Sequence, residues 1–378
     1  MGGAGRESDG RAEGGVGLAG VLLEAPDECP VDVVHALFLP WDPQLLRRRY
    51  LILQSHDHAE QNSANYSSGG TMSGIADLAL YEILDERFRT GRCANGDLRL
   101  ERLHDDCRWA EGPLYLPAWR QLVWSDIPND RMLRWDEATG AVSVFRSAAG
   151  HSNGNTLDRE GRLITCEQGN RRVTRTEPDG RITVIADRYD GKRLNSPNDA
   201  VVRSDGSVWF SDPDFGITND YEGRRAPSEI GACNLYRADP ATGEVRLVAD
   251  GFLGPNGLVF SPDESELYAA DTRAGHIRAF KVGDDGTLGG DRVFTACPSV
   301  DNIRFDDEGR LWAAAMESGV HCYAADGDLI GRLRVPEPVS NIAFGGPKNN
   351  RLFITATTSL YSLVMSVTGL PRVLPARP

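Results

Sequence analysis

The chain has 378 residues, 40% of them hydrophobic and 25% charged, which is enough to build a large globular core. A formal net charge of −14 with no basic run argues against a nucleic-acid or anionic-membrane surface. The seven cysteines are odd in number and none forms a CxxC pair, which argues against a structural zinc site or a disulfide scaffold and fits reduced thiols in the cytoplasm. No segment approaches the roughly 20 apolar residues of a membrane span.

Residues 1–71 open on MGGAGRESDGRAEGG and close on SHDHAEQNSANYSSGGT, with no sustained period. Such composition cannot offset chain entropy by burial, so a disordered tail, or a misassigned start with Met72 as the true one, is expected. The alternative is an extension that wraps the domain. Residues 72–104 form an expected helical lead-in. There Ile75, Leu78, Tyr81 and Leu84 fall on one helical face.

From about residue 105 to 378 the texture is short strands and turns, and one unit recurs. A turn precedes a strand anchored by Leu122, Leu163, Val208, Leu267, Leu311 and Leu352 in turn. The spacing is about 41–45 residues, with one interval of about 59, and residues 218–232 supply a polar insertion for the long one. Strand repeats of that period are propeller blades. The expected fold is all-β, a six-bladed β-propeller preceded by a short N-terminal helix and the tail.

Ten or eleven residues before each anchor, a polar residue opens a short apolar strand. These residues are Glu111, Asn153, Asn198, Asn256, Asp301 and Asn341. The innermost strand of each blade lines the central channel, so equivalent positions form a ring about the axis. A turn role explains any one of them, since Asn and Asp favour turns. Six in phase weigh toward a ring, although the repeat itself could preserve a turn asparagine, and glutamate is a poor turn residue. Two carboxylates forced together in a channel call for a cation, and oxygen-only ligands favour calcium, magnesium or manganese.

The motifs EGPLYLPAWRQLVWSD at 111–126, NSPNDAVVRSDGSVWFSD at 195–212, GPNGLVFSPDESELYAAD at 254–271 and VDNIRFDDEGRLW at 300–312 resemble the gluconolactonase, regucalcin (senescence marker protein) and luciferin-regenerating enzyme family. The resemblance covers about 105–378. It implies a six-bladed propeller with one divalent cation, calcium first, with magnesium, manganese or zinc as alternatives. It assigns Glu111, Asn256 and Asp301 to the metal, and Asn198 to the metal or the substrate beside it. Asn153 and Asn341 are left as channel lining. Ser196 stands where regucalcin-like members carry a substrate-contacting arginine, as in the gluconolactonase-like branch, and Asn302 stands where many members have glycine.

The implied activity is metal-dependent opening of a small, sugar-type lactone by water, with Asp301 as the proton-handling catalytic residue and Asn198, Asn153 and Ser196 as substrate contacts. His151 lies two residues from Asn153 but reads as a surface residue. No GxSxG elbow signals a serine hydrolase. The rival readings are a non-catalytic calcium-binding regulatory propeller, and an esterase or phosphotriesterase on the same site. A small-molecule partner, no nucleic acid, no membrane, and a monomer or weak dimer complete the expectation.

Overall fold

A computed structural model describes residues 80–94, 96 and 98–370 of the chain. The expected tail at 1–71 lies outside the described residues, as do Ile75 and Leu78 of the expected helix. Six antiparallel sheets make a six-bladed β-propeller: four of them have four strands in sequence order from the axis outward, and the last two add an outer strand from earlier in the chain. The innermost strands are Ala110–Leu116 (blade 1), Ser152–Leu157 (blade 2), Ala200–Val202 (blade 3), Pro255–Phe260 (blade 4), Ile303–Phe305 (blade 5) and Val339–Gly345 (blade 6). Each touches the next, and the sixth touches the first, so the ring of blades is closed.

Every anchor residue falls on the second strand of its blade. Leu122, Val208, Leu267, Leu311 and Leu352 are fully buried, and Leu163 nearly so. The core is divided among the interfaces between blades. Trp209 and Leu235 of blade 3 pack with Leu258, Leu267 and Phe280 of blade 4, and Trp124 and Trp135 of blade 1 pack with Phe353 and Leu360 of blade 6. Each blade thus buries both faces against neighbours, which is why its inner strands read as nearly continuous apolar runs.

The expected helical run through Tyr81 and Leu84 is corrected here: Tyr81–Ile83 is a strand. It pairs antiparallel with Leu329–Leu333 as a fifth strand of blade 5, with Tyr81 opposite Leu333. Tyr81 is 2% exposed and Leu84 46%, so they do not share a face. An open sheet edge offers a row of unpaired backbone groups, and pairing with it outweighs a weak local helical period. The short helix of the lead-in comes later, at Glu86–Thr90, where the Asp85 side chain accepts from Arg87 N–H as N-cap and Phe88 is fully buried.

Glu101–His104 supplies the outermost strand of blade 6 by pairing with Ser359–Val364, with Glu101 opposite Ser362. The last blade therefore joins the beginning of the described chain to its end. Residues 218–232 run between the second and third strands of blade 3, Val208–Asp212 and Cys233–Ala238, as the long interval suggests. Among the described residues no helix is long and apolar enough to cross a membrane.

Candidate metal and active centre

The six ring residues all stand at the start of the innermost strands or one to two residues before them, and all are 6% exposed or less. Their backbones are stitched between blades. Gly154 N–H donates to Asn198 O at 2.7 Å, and Gly257 N–H donates to Asp301 O at 2.9 Å. The Asn155 amide donates to Gly112 O at 2.9 Å and to Asn153 O at 2.9 Å. Glycine follows the ring residue in blades 1, 2 and 4 because the neighbours leave no room for more. At Gly112 the backbone φ is +53°, and a Cβ would fall well inside contact of Asn153 O.

Five of the ring side chains can then be placed. Glu111 Oε2 accepts from Gly112 N–H at 2.8 Å and from Asn341 Nδ2 at 2.9 Å. Asn341 therefore orients Glu111. Asn256 Nδ2 donates to Thr272 Oγ1 at 3.1 Å, and that hydroxyl donates to Val300 O at 2.6 Å. Asp301 Oδ1 and Asn153 Oδ1 are buried and have no hydrogen-bond partner among the described residues. Burial pushes the Glu111 carboxyl up to about 8, against the two hydrogen bonds that hold it down. Burial, and next the negative charge of Glu111, holds the Asp301 carboxyl well above the usual carboxylate range.

Two buried carboxylates with like charge and orphaned oxygens are a costly arrangement by themselves. The nearby Arg304 guanidinium does not relieve it, because it pairs with Asp199 Oδ2 at 3.2 Å. A divalent cation among Glu111, Asn256, Asp301 and Asn198 removes the cost, and the donors are all hard oxygens. The residues therefore fit such an ion. Among the described residues no cluster of three or more His, Cys, Asp or Glu side chains is arranged to hold a metal. The ring holds two carboxylates, Glu111 and Asp301, and its other four members are amides.

The other sequence candidates are placed as follows. The Ser196 hydroxyl is committed to the segment that leads into the insertion: it donates to Pro213 O at 2.6 Å and accepts from Gly216 N–H at 3.0 Å. His151 Nδ1 lies 3.0 Å from Ile127 O. Two residues escaped the sequence reading. Gln168 is fully buried, and neither polar atom of its amide has a hydrogen-bond partner among the described residues. Glu222, in the insertion, adds negative charge felt by both Glu111 and Asp301.

A family model described as the SMP-30/Gluconolactonase/LRE-like region matches residues 109–358, which hold the inner strands of all six blades. The chain belongs to this family. Within it, the chain is 31% identical over 291 residues to a gluconolactonase of Zymomonas mobilis, covering 68% of this chain and 79% of that protein. It is 32% identical over 263 residues to the pentonolactonase XacC of Haloferax volcanii, covering 66% and 81% respectively. A solved gluconolactonase structure from Xanthomonas campestris superposes with a TM-score of 0.71 at 38% identity, over 76% of this chain and 95% of that one. The gluconolactonase/regucalcin resemblance of the motifs and the propeller expected from the repeat agree with the family and the observed fold.

Proposed function

We propose that this member of the SMP-30/gluconolactonase/LRE-like family is a divalent-cation-dependent hydrolase that opens a small sugar-type lactone. The observation that carries the reading is the pair Glu111 and Asp301, buried in a ring of amides with no cationic side chain paired to either among the described residues. The gluconolactonase and pentonolactonase relatives support the substrate class. The six cysteines among the described residues are free thiols, which supports a reducing, cytoplasmic compartment.

Glu111, Asn256 and Asp301, with Asn198, would hold the ion, calcium by preference for hard oxygens. When bound, it supplies Lewis-acid charge for the oxyanion that develops on the lactone carbonyl. The protein's own residues do the rest. Asp301 Oδ1, which has no hydrogen-bond partner among the described residues, takes a proton from the attacking water. Water oxygen then bonds to the carbonyl carbon, the ring C–O bond breaks, and the proton passes from Asp301 to the leaving alkoxide, giving the open hydroxy acid. Asn153 and Asn198 offer amide groups to the oxygens of the bound ring. Ser196 holds the insertion in place above them.

The test is hydrolysis of glucono-1,5-lactone by the full chain with chelator and then with calcium, magnesium, manganese or zinc added back. The expected result is loss with chelator, recovery with metal, and loss of turnover in Glu111→Gln and Asp301→Asn with circular dichroism unchanged. Activity that persists in chelator and in both variants would sink the reading.

A further inference from the structure

The insertion at 218–232 leaves blade 3 on the face where the ring opens. Antiparallel alternation requires this, since the second strand of a blade returns to the face from which the first departs. Near its root the insertion is tied down. Arg224 N–H donates to Gly216 O at 2.9 Å, and Ala226 N–H donates to Ile217 O at 3.0 Å. Gly216 in turn lies so close to blades 2 and 3 that a Cβ there would be 2.7 Å from Gln168 Cβ and 2.9 Å from Ser196 Cβ.

Tyr221 reaches the other side of the mouth. Its ring packs against Trp109, Ile127 and Met316, which precede or follow strands of blades 1 and 5. Its hydroxyl donates to Arg108 O at 3.2 Å, and the Arg108 guanidinium lies 5.5 Å over its ring. Blade 3 and this anchorage lie across the axis from one another, so the segment between them crosses the channel mouth. Glu222 is in that segment. It is half-buried, and it has no hydrogen bond or ion pair among the described residues. It is near enough to the ring for its charge to act on Glu111 and Asp301 together.

Beneath this crossing Gln168 Oε1 and Asn153 Oδ1 are buried acceptors, and Gln168 Nε2 a buried donor, with no hydrogen-bond partner among the described residues, and the half-buried Glu222 carboxylate adds further acceptor oxygens. A ligand bearing several O–H groups satisfies them. An unsubstituted lactone has only acceptor oxygens and would leave them dry, and a site built for a hydroxyl discriminates strongly against an analogue that lacks it. Resting on the lactonase reading above, we propose that Glu222, carried over the ring by the crossing loop, forms with Gln168 the subsite that receives substrate hydroxyls and sets the preference for hydroxylated over plain lactones.

The experiment compares kcat/KM for glucono-1,5-lactone with that for δ-valerolactone, using the calcium-loaded full chain. The expected result is a fall of about 10- to 100-fold in the ratio of the two for Glu222→Ala and for Gln168→Ala, with partial recovery in Glu222→Gln, whose amide oxygen still accepts. A role limited to holding the loop would lower both values together, so a ratio within about twofold of the wild type overturns the proposal. If the wild type opens neither lactone, the lactonase reading fails separately. Calorimetric binding of glucitol then decides the subsite: at least tenfold weaker binding to Glu222→Ala upholds it, and equal or absent binding overturns it.

Discussion

Asn302 Nδ2 donates to Asp199 Oδ2 at 2.8 Å, a bond that joins blade 5 to blade 3 across the channel. Each partner immediately follows a ring residue, Asp301 and Asn198. Where blades 1, 2 and 4 place glycine, these two blades place side chains that meet. Arg304 Nη1 donates to the same Asp199 oxygen at 3.2 Å. The residue that departs from the family's usual glycine thus has a partner. Asn302→Ala should cost about 1–3 kcal/mol. Asp199→Ala should cost more, about 3 kcal/mol or above, because it strands a largely buried Arg304. Chemical denaturation of both singles and the double variant checks this, and simple additivity would contradict a direct bond.

The two ring carboxylates give an unusual stability signature. Asp301→Asn removes a like charge from Glu111, so with chelator present its melting temperature should equal or exceed that of the wild type. With calcium at about 100 times its Kd, the wild type should gain about 2.7 kcal/mol and the variant far less. Scanning calorimetry in both conditions reads the crossing of the two orders.

Cation binding should also strengthen with pH. Burial lifts Glu111 to about 8 and lifts Asp301 in the same direction. A folded-state carboxyl pKa above the unfolded value means that the native protein binds more protons between the two. Cation-free stability is therefore lost as pH rises from the unfolded value, near 4.5, through about 8. The ion must displace those protons below pH 8, so calcium affinity should rise about tenfold per pH unit per proton released from pH 6 to 8. Isothermal titration in buffers of different ionisation enthalpy measures both affinity and proton release. A flat affinity would contradict the assigned ligands.

Gly112→Ala should be among the most damaging single changes. The positive φ and the adjacent Asn153 carbonyl oppose a methyl group together, and relaxation would displace Glu111 next door. A loss of about 3 kcal/mol or more is expected, with calcium affinity falling as well. A stability change without an affinity change would mean that the backbone adjusts away from the ring.

Much of this was legible in the sequence because a propeller repeats its demands. Each blade needs an apolar anchor on its second strand, so Leu122 and its five counterparts recur in phase and mark the blades. Each inner strand needs a channel-facing residue, so Glu111, Asn256 and Asp301 could be aligned before any side chain was seen. What occurs once was harder to read. Tyr81–Ile83 becomes a strand only because a distant edge at Leu329–Leu333 accepts it. Glu222 and Gln168 have no counterpart in a period. The face on which the insertion emerges follows from strand alternation, but the reach of Tyr221 to Trp109 and Met316 does not. Ser196 sits in a motif that suggests the substrate, yet its hydroxyl serves the loop.

The pairing of Glu101–His104 with Ser359–Val364 also has a bearing on how the protein is made. The two strands are about 260 residues apart in the chain, a separation whose closure entropy is unrewarded until both have left the ribosome. Blades 1 to 5 can pair their local strands during synthesis. The sixth cannot complete itself, and with it the axial ring, until the last strands emerge. Nascent chains stalled before Ser359 would hold every residue of the proposed ion site but no finished circle to set them in.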